Sequence, residues 1–310
     1  MKTAMLVYGQ LRQYEKCMPS IQKYILDVLQ PDVFVNVWDT RGHSLYSEEA
    51  NIDTSFSNEK VILDDVIKYY NPKDVLIENY NDWMNNLEGE YKQVMLSEKK
   101  SATPKNYKIK MCNQMKRKYE EKNNFKYDCV MVFRPDTIFF SQIPFYVLQD
   151  LDCIWQLNPP HLFNKNICHS MFHIMNTKVS DVFETYYDNL PNLWKLPYVE
   201  PGFDTKYDCT RTEYLHFKQH GIRVRAYKKY MGFVETYRSP QDFNNAISAL
   251  DEENENIIDS IIYLDRNGFS DNIIYKLKEI DRRLLYNIVD WCEHYYFISN
   301  KHLILKFINS

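Results

Sequence analysis

The 310-residue chain has few glycines, no cysteine motif, no basic excess and no long apolar run. Only 7 glycines occur, and the repeated glycines of a dinucleotide-binding fingerprint are missing. The 7 cysteines stand without any CxxC pair, which argues against a zinc ribbon and against a disulfide framework. A net charge of −4 does not fit the basic footprint of a typical nucleic-acid-binding domain. We therefore expect a protein with reduced thiols and no nucleic-acid partner.

The apolar runs are too short for a membrane span or a secretory leader. The first of them, residues 4–7, lacks the length of a signal-peptide core with its cleavage site. No later run approaches the roughly 20 residues that a spanning helix needs. Hydrophobic residues still make up 45% of the chain and aromatic residues 15%, enough for a sizeable core. The expectation is a globular, cytoplasmic protein without a transmembrane segment.

The first eighty residues alternate between strand and helix patterns. Residues 3–8 and Asp32–Trp38 are apolar runs typical of buried strands, and residues 15–29 between them repeat apolar side chains with a helical period. A strand, a helix and a second strand form a βαβ unit, which predicts a parallel sheet. A third strand is predicted at Asp74–Glu78. The fold class is therefore expected to be α/β.

Polar residues follow the first two predicted strands. Gly9, Gln10 and Arg12 come directly after the first strand, where a glycine permits a tight turn and close approach to a ligand. Asn36 and Asp39 stand at the end of the second strand. These residues fit contacts to a nucleotide or a diphosphate. The competing interpretations are a plain turn after the first strand and core packing at the end of the second.

The sequence YDCVMVFRPDTIFF, residues 127–140, carries the strongest signal. An apolar run ends at Pro135, which cannot donate to a central strand ladder. Arg134 and Asp136 are then expected at a strand end, where open α/β sheets bind their ligands. A carboxylate there suits a divalent cation, and a guanidinium suits phosphate oxygens. The competing interpretation is an ordinary ion pair in a surface turn.

Further along the chain, the pattern predicts a lid, a helix and several acidic candidates. Residues 83–105 are polar and are expected to form a flexible lid or insertion, followed by a helix over residues 108–122 whose lysines face solvent. Glu213 is expected at the third position of a helix that Thr210 caps, which allows either a capping box or a catalytic role. Later strands are expected at residues 153–157, 167–175 and 222–226, and a helix at residues 178–190.

His169 and His173 stand four residues apart, a spacing that would bind a metal if they lay on a helix. The Phe and Ile residues around them favour a strand instead. The glutamate of the HExxH motif is also absent. A structural role for each histidine is therefore the preferred interpretation.

The order of these motifs resembles that of the GT-A-type nucleotide-sugar glycosyltransferases, particularly the compact viral and bacterial ones. The resemblance covers about residues 3–235. It rests on the turn of Gly9, Gln10 and Arg12, on the Arg134-Pro135-Asp136 element, and on Glu213 ahead of a Gly-Ile-Arg-Val strand at residues 221–224. It implies one Rossmann-like GT-A domain over residues 1–238 with a mostly parallel central sheet. Residues 239–310 are expected to form a helical extension.

The resemblance also implies the chemistry. A sugar would pass from a UDP- or GDP-sugar to a glycan or another hydroxyl acceptor. Mn²⁺ or Mg²⁺ on Asp136 would stabilise the leaving diphosphate, and Glu213, with Asp204 and Glu200 behind it, would supply the general base. The donor would contact the six residues Gly9, Gln10, Arg12, Asn36, Asp39 and Arg134. Arg134 departs from the usual element, which has a first Asp in its place, and this puts the metal requirement in doubt.

Two functions from other classes stay open. One is a nucleotidyltransferase-like phosphate-transfer enzyme, which would want more converging carboxylates. The other is a non-catalytic nucleotide-sugar-binding or assembly protein that keeps the fold. In the helical extension, an apolar stripe that includes Leu285 is expected to pack on the catalytic domain or on a second subunit, forming a homo-oligomer. A membrane-surface role for the basic-flanked residues 301–306 is the less favoured alternative.

Overall fold

The computed structural model describes most of the first 233 residues and a few later positions. The described residues are 1–12, 14–42, 55–97, 103–139, 142–157, 172–196, 207, 209–227, 231–233, 261, 277, 285 and 304–306. A seven-stranded sheet lies at the centre of this part of the chain, and a separate two-stranded sheet pairs β5 with β9. The strands are β1 (Thr3–Gly9), β2 (Asp32–Trp38), β3 (Asp74–Glu78), β4 (Cys129–Phe133), β5 (Thr137–Phe139), β6 (Ile154–Leu157), β7 (Phe172–Met175), β8 (Val224–Tyr227) and β9 (Met231–Phe233).

Helices connect these strands and cover the sheet. The α-helices are α1 (Tyr14–Ile21), α2 (Asp27–Leu29), α3 (Leu63–Tyr70), α4 (Tyr80–Asn85), α5 (Gly89–Ser97), α6 (Thr103–Asn123), α7 (Phe145–Leu148), α8 (Thr177–Glu184), α9 (Tyr186–Trp194) and α10 (Cys209–Gln219). A π-helical turn, Gln22–Leu26, joins α1 to α2, and a short 3₁₀ turn occurs at Ser55–Asn58. None of the helices in these described ranges is both long enough and apolar enough to span a bilayer.

The large sheet is mixed but mostly parallel. Its order is β3-β2-β1-β4-β7-β6-β8, and β7 runs against both of its neighbours. The expected α/β class is confirmed, and the order β3-β2-β1-β4 is compatible with a Rossmann-like fold. In that order the chain winds outwards from β1 to β3 and then returns to place β4 on the other side of β1. The switch of direction lies between β1 and β4, whose register pairs Val7 with Phe133.

Two apolar layers enclose the sheet. Alternate side chains of β1, β2 and β4 point to opposite faces, and nearly all of them are buried, as expected for strands covered on both sides. One face packs on α1, α3 and α7, and the other packs on the long helix α6 together with α8, α9 and α10. The buried C-terminal side chains belong to the first layer and are Ile261, Leu277, Leu285 and Ile304. The expected contact of Leu285 with the rest of the protein is therefore observed, whereas most of the predicted extension lies outside the described residues.

Several expected boundaries are wrong, for recognisable reasons. Residues 83–105 are largely helical rather than a loop, because α4, α5 and the start of α6 fall there. Their polar composition hid them, since α4 has no fully buried residue and α5 buries only Val94. The helix expected at residues 178–190 is two helices, α8 and α9, that meet at Thr185.

The lysines of α6 correct a second expectation. The sequence predicted that they face solvent, yet Lys108 and Lys116 are completely buried. Each one forms a salt bridge, Lys108 with Glu78 at 2.6 Å and Lys116 with Asp181 at 3.0 Å. A long aliphatic stem lets lysine cross an apolar face while its ammonium reaches a carboxylate. The expectation is therefore wrong for Lys108 and Lys116, whereas Lys118 is exposed as expected.

Candidate functional site

The candidate site lies at the carboxyl edge of the sheet, between β1 and β4. Gly9 ends β1, and the Arg134-Pro135-Asp136 element follows β4 directly. The strand ends at Phe133, as the proline predicted. Because β1 and β4 are parallel neighbours, both segments leave the sheet at the same edge. Open α/β sheets bind ligands in the crevice at this switch of strand direction.

The turn after β1 depends on its glycine. Gly9 has φ of +99°, a backbone conformation that side chains with a Cβ rarely adopt, and the space beside its Cα is open. The Gln10 side chain packs directly on Gly42, where a Cβ would overlap it. Gln10 also accepts hydrogen bonds from Arg12 Nε at 2.9 Å and Nη2 at 2.6 Å. The turn thus fixes the direction of the Arg12 guanidinium.

Arg12, Arg134 and Asp136 form one group, which we call the arginine clamp. Arg134 donates from Nε to Asp136 Oδ1 at 3.1 Å and from Nη2 to Oδ2 at 2.5 Å. Arg12 donates from Nη1 to Asp136 Oδ2 at 3.4 Å, across 124 residues of sequence. The carboxylate is 1% exposed, whereas the side chains of Arg12 and Arg134 are 16% and 23% exposed. The clamp therefore buries its acid more deeply than its two cations.

The clamp does not fit a divalent cation as the sequence predicted. Both oxygens of Asp136 already accept hydrogen bonds from guanidinium groups, which would repel a cation. Mn²⁺ and Mg²⁺ prefer several oxygen ligands around them. Within the described ranges, no three His, Cys, Asp or Glu side chains converge closely enough to hold a metal. The chemistry proposed below therefore uses no bound metal.

A second charged group, the Lys105 cluster, lies on the α6 face of the same edge and contains Lys105, His173 and Glu213. Glu213 Oε2 accepts from Lys105 Nζ at 3.1 Å, and Glu213 Oε1 lies 2.9 Å from His173 Nε2. His173 is paired with Val132 in the β4–β7 register, two residues before Arg134. Three elements, α6, β7 and α10, thus meet at one buried carboxylate.

Glu213 is not arranged as the expected general base. The carboxylate is completely buried. Burial alone would raise its pKa, but the positive charge of Lys105 and the contact with His173 outweigh burial and hold the pKa at about 2. Such a carboxylate takes a proton only weakly at neutral pH. The expected capping box is also wrong, because α10 begins at Cys209 and Thr210 lies inside the helix.

Tyr8 is buried close enough to both charged groups that their charges act on its phenol. It is the residue before Gly9, it is 1% exposed, and it points to the α6 side of the sheet. Burial raises the pKa of its phenol, while the charges of Lys105 and Arg134 act in the opposite direction. Tyr8 therefore stays protonated and lies within electrostatic range of both the arginine clamp and the Lys105 cluster.

Asn36 and Asp39, which were expected at the end of β2, lie in different environments. Asn36 is completely buried, and its Nδ2 faces the sulfur of Met115 at 3.8 Å, so this side chain belongs to the core. Asp39 lies at the carboxyl edge and accepts from Lys60 Nζ at 2.5 Å and Asn79 Nδ2 at 2.8 Å. These bonds hold the pKa of Asp39 below its usual value, although its burial acts against them. Only Asp39 keeps a position from which it can meet a ligand.

An aromatic patch lies beside Asp39. The indole of Trp38 is buried beneath the rings of Tyr80, Trp83 and Tyr107, whose centroids lie 5.2, 5.1 and 6.1 Å away. These three covering rings are partly exposed. Lys108 Nζ lies 3.8 Å from the Trp38 ring centroid on its buried side. Burial lowers the pKa of this lysine to about 8, and the ion pair with Glu78 opposes that shift.

Some of the expected site residues lie outside the described part of the chain, namely Glu200, Asp204 and His169. Sequence reasoning also missed one residue that the fold brings to the edge, Lys105. Lys105 follows Thr103-Pro104, and a proline in the first turn is a known helix-start signal. That signal could have placed Lys105 at the beginning of a helix instead of in a lid.

Comparison with known proteins does not assign the site, since neither a protein-family model nor a curated protein sequence matches the chain. The assignment of a function therefore depends on the geometry of the carboxyl edge.

Proposed function

We propose that this protein is a glycosyltransferase that uses a nucleotide-sugar donor. The observation that carries the proposal is the arginine clamp at the switch between β1 and β4, with Arg12 and Arg134 converging on one buried carboxylate. The sheet order and the small second sheet are compatible with the GT-A resemblance of the motifs. The clamp joins the two motifs on which that resemblance depends, the turn after β1 and the element after β4.

The clamp suits a diphosphate. Each guanidinium carries five N–H donors in a rigid fork, so it can donate to phosphate oxygens while it keeps a carboxylate partner. When the bond between the sugar and the diphosphate breaks, negative charge grows on the leaving phosphate. Two fixed guanidinium groups would stabilise that charge without having to reorganise. Asp136 then acts as the group that orients both arginines, and Gln10 orients Arg12 from the other side.

The nucleoside part of the donor is proposed to lie along the ends of β1 and β2. Asp39 and the partly exposed rings of the aromatic patch offer a carboxylate and flat apolar faces next to the Gly9 turn. Aromatic rings bind bases by stacking, and a carboxylate can accept from a ribose hydroxyl. Among the described residues, the geometry favours none as the general base for the acceptor hydroxyl, because Glu213 is held by Lys105 and His173.

A second function, a nucleotide-sugar-binding protein without turnover, has one observation in its favour. The two carboxylates expected to work in catalysis, Asp136 and Glu213, are both buried and both paired with cations. Such pairs resemble a rigid binding site as much as a reactive one. The phosphate-transfer alternative has less support, because the described residues at this edge do not gather several carboxylates around a metal.

A donor panel separates these functions. The wild-type protein is incubated with UDP- and GDP-sugars, with EDTA or with Mn²⁺, and both hydrolysis and the shift of the melting temperature are measured. A transferase should be stabilised by one nucleotide class and should hydrolyse its donor slowly, in EDTA as well as in Mn²⁺. Stabilisation without hydrolysis supports the binding protein. No response across the panel contradicts both.

The variant Asp136→Ala tests the clamp within the proposed reaction. We expect it to lose turnover, because both guanidinium groups lose the acceptor that orients them, while the sheet stays folded. Circular dichroism checks the fold. Turnover like that of the wild type in a folded Asp136→Ala protein would remove Asp136 from the mechanism.

A further inference from the structure

We propose that Lys105 is a third cation of the diphosphate site, with Glu213 and His173 as the groups that position it. This inference rests on the proposed function, because it assumes that the arginine clamp binds a diphosphate. It assigns Glu213 a role different from that of a base: the carboxylate holds the ammonium at the carboxyl edge and itself stays out of contact with the ligand.

In the salt bridge of Lys105 the lysine is more exposed than the carboxylate, the reverse of the other salt-bridged α6 lysines. Lys108, Lys110 and Lys116 are each less exposed than a carboxylate partner that they contact, namely Glu78, Asp188 and Asp181. Lys105 is 17% exposed, while Glu213 is completely buried. Of the four lysines with described salt bridges on this helix, only Lys105 therefore has its cation nearer the solvent than the acid.

The position of Lys105 in the fold also puts it near the arginine clamp, at the carboxyl edge of the sheet. α6 runs against β1, with Cys112 Sγ facing the carbonyl of Val7 at 3.7 Å, so the first turn of the helix, with Lys105, lies at the carboxyl edge. Tyr8 lies there on the same face of the sheet, one residue before the Gly9 turn. The charges that act on its phenol include both Lys105 and Arg134. Lys105 and the Gly9 turn thus lie at the same edge of the sheet.

The cost of the Lys105 cluster supports a function. A buried carboxylate pays a desolvation penalty, and a well-packed apolar pair would often hold the helices at least as well. Here a glutamate, a histidine and a lysine from three separate elements are kept together, and His173 Nδ1 has no hydrogen-bond partner in the described part of the chain. The carboxylate also holds the pKa of Lys105 above its ordinary value against the effect of burial, so the ammonium stays charged.

Four variants test the proposal by calorimetric titration with UDP and with inorganic pyrophosphate in EDTA. The variants are Lys105→Met, Glu213→Gln, the double variant Lys105→Met/Glu213→Gln, and the control Lys110→Met. The double variant removes both charges together, so no buried carboxylate is left without its partner. Lys110 lies on the same helix, and its salt bridge with Asp188 is away from the clamp. Thermal unfolding confirms that each protein is folded.

We expect the double variant to bind both probes about tenfold more weakly than the wild type, as for the loss of one charged contact. Lys110→Met should bind like the wild type. Glu213→Gln should also bind both probes more weakly than the wild type, because the ammonium loses the carboxylate that holds it at the edge and keeps it charged.

The outcomes separate this inference from the proposed function. If the wild type binds the probes and Arg134→Met weakens binding, but the double variant binds like the wild type, Lys105 is only a structural partner of Glu213 and this inference is overturned. If the wild type binds neither UDP nor pyrophosphate, the proposed function falls, and the role of Lys105 falls with it. Weaker binding by the double variant together with unchanged binding by Lys110→Met supports both.

Discussion

Two kinds of charged cluster lie at opposite edges of the sheet. At the amino edge of the sheet, Lys116 donates to Thr177 at 2.7 Å and to Asp181 at 3.0 Å, and Glu120 accepts from Thr177 and from the Tyr127 backbone at 2.8 and 3.0 Å. Lys116 and Glu120 are completely buried. At the carboxyl edge, the arginine clamp buries its carboxylate but keeps its two guanidinium groups partly exposed.

The difference shows how a structural network can be told from a binding site. The amino-edge cluster, which consists of Lys116, Glu120, Lys126, Thr177 and Asp181, balances two cations with two carboxylates and joins α6 to α8 and to the loop before β4. The arginine clamp joins two guanidinium groups to one buried carboxylate at the carboxyl edge of the sheet. Buried carboxylates occur in both, so burial alone does not mark function. The two clusters differ in position, because the arginine clamp lies at the switch between β1 and β4, where open α/β sheets bind ligands.

The largest expected effect is a loss of stability when the amino-edge cluster is disrupted. Lys116→Met should lower the free energy of unfolding by about 3 kcal/mol, because Glu120 and Asp181 lose a buried partner. The same variant should leave UDP affinity unchanged. Chemical denaturation and calorimetry measure the two quantities. The exposed residue Lys118 on the same helix gives the control, and Lys118→Met should change the unfolding free energy by less than about 0.5 kcal/mol. Loss of UDP affinity in a folded Lys116→Met protein would contradict the distinction between the amino-edge cluster and the arginine clamp.

The pH dependence of stability sharpens the comparison at Glu213. The folded-state pKa of about 2 lies below the unfolded value of 4.5, so its contribution is complete above pH 4.5 and is lost as the pH falls towards 2. The contribution should be on the order of 3 kcal/mol. Denaturation of the wild type and of Glu213→Gln from pH 6 to pH 2 measures it as the difference between the two slopes. Parallel slopes would mean that the carboxylate gains nothing from Lys105 and His173.

Arg134→Met should weaken UDP binding, which Lys116→Met leaves unchanged. UDP affinity is expected to fall about 30-fold, equal to about 2 kcal/mol for a charged hydrogen bond to phosphate. The free energy of unfolding should also fall, because the buried Asp136 loses a partner that donates to both of its oxygens. Arg117→Met is the matched control, since Arg117 is a half-exposed residue of α6 paired with Glu184 away from the edge. Equal affinities for UDP in the two variants would remove Arg134 from the site.

The smallest effect concerns the turn. Gly9→Ala should destabilise the fold by about 1 kcal/mol, because alanine is strained at positive φ even though the space around it is open. UDP affinity should also fall, since the turn aims Arg12. Gly89 has a φ of +57° and similarly open space at the start of α5, so Gly89→Ala should cost similar stability without a change in affinity. An affinity loss of the same size in both variants would show a general rather than a local effect.

The sequence predicted the central βαβ unit, the end of β4 at Pro135 and the contact between segments 124 residues apart. These features follow from local rules, namely apolar periodicity, the missing N–H of proline, and the common edge of parallel strands. The same rules did not predict α4 and α5, because both helices are short and have polar surfaces. Their apolar stripes are too narrow to register as a period in a lysine- and asparagine-rich stretch.

The roles of individual charges could not be predicted in the same way. Whether Lys108 and Glu213 face solvent or the core depends on how α6 and α10 rotate against the sheet, and tertiary packing sets that rotation. The pairing of Asp136 with two arginines likewise depends on the path of the Gly9 turn. The sequence therefore identified the residue types at the edge but misjudged their partners, and the partners decide whether a carboxylate binds metal, accepts a proton or orients an arginine.

The most direct test of the central claim is a crystal structure of the protein with UDP and without added metal. We predict that oxygens of the diphosphate lie within hydrogen-bond distance of the guanidinium groups of both Arg12 and Arg134. A structure in which UDP occupies another surface, with neither arginine in contact with a phosphate oxygen, would contradict the account.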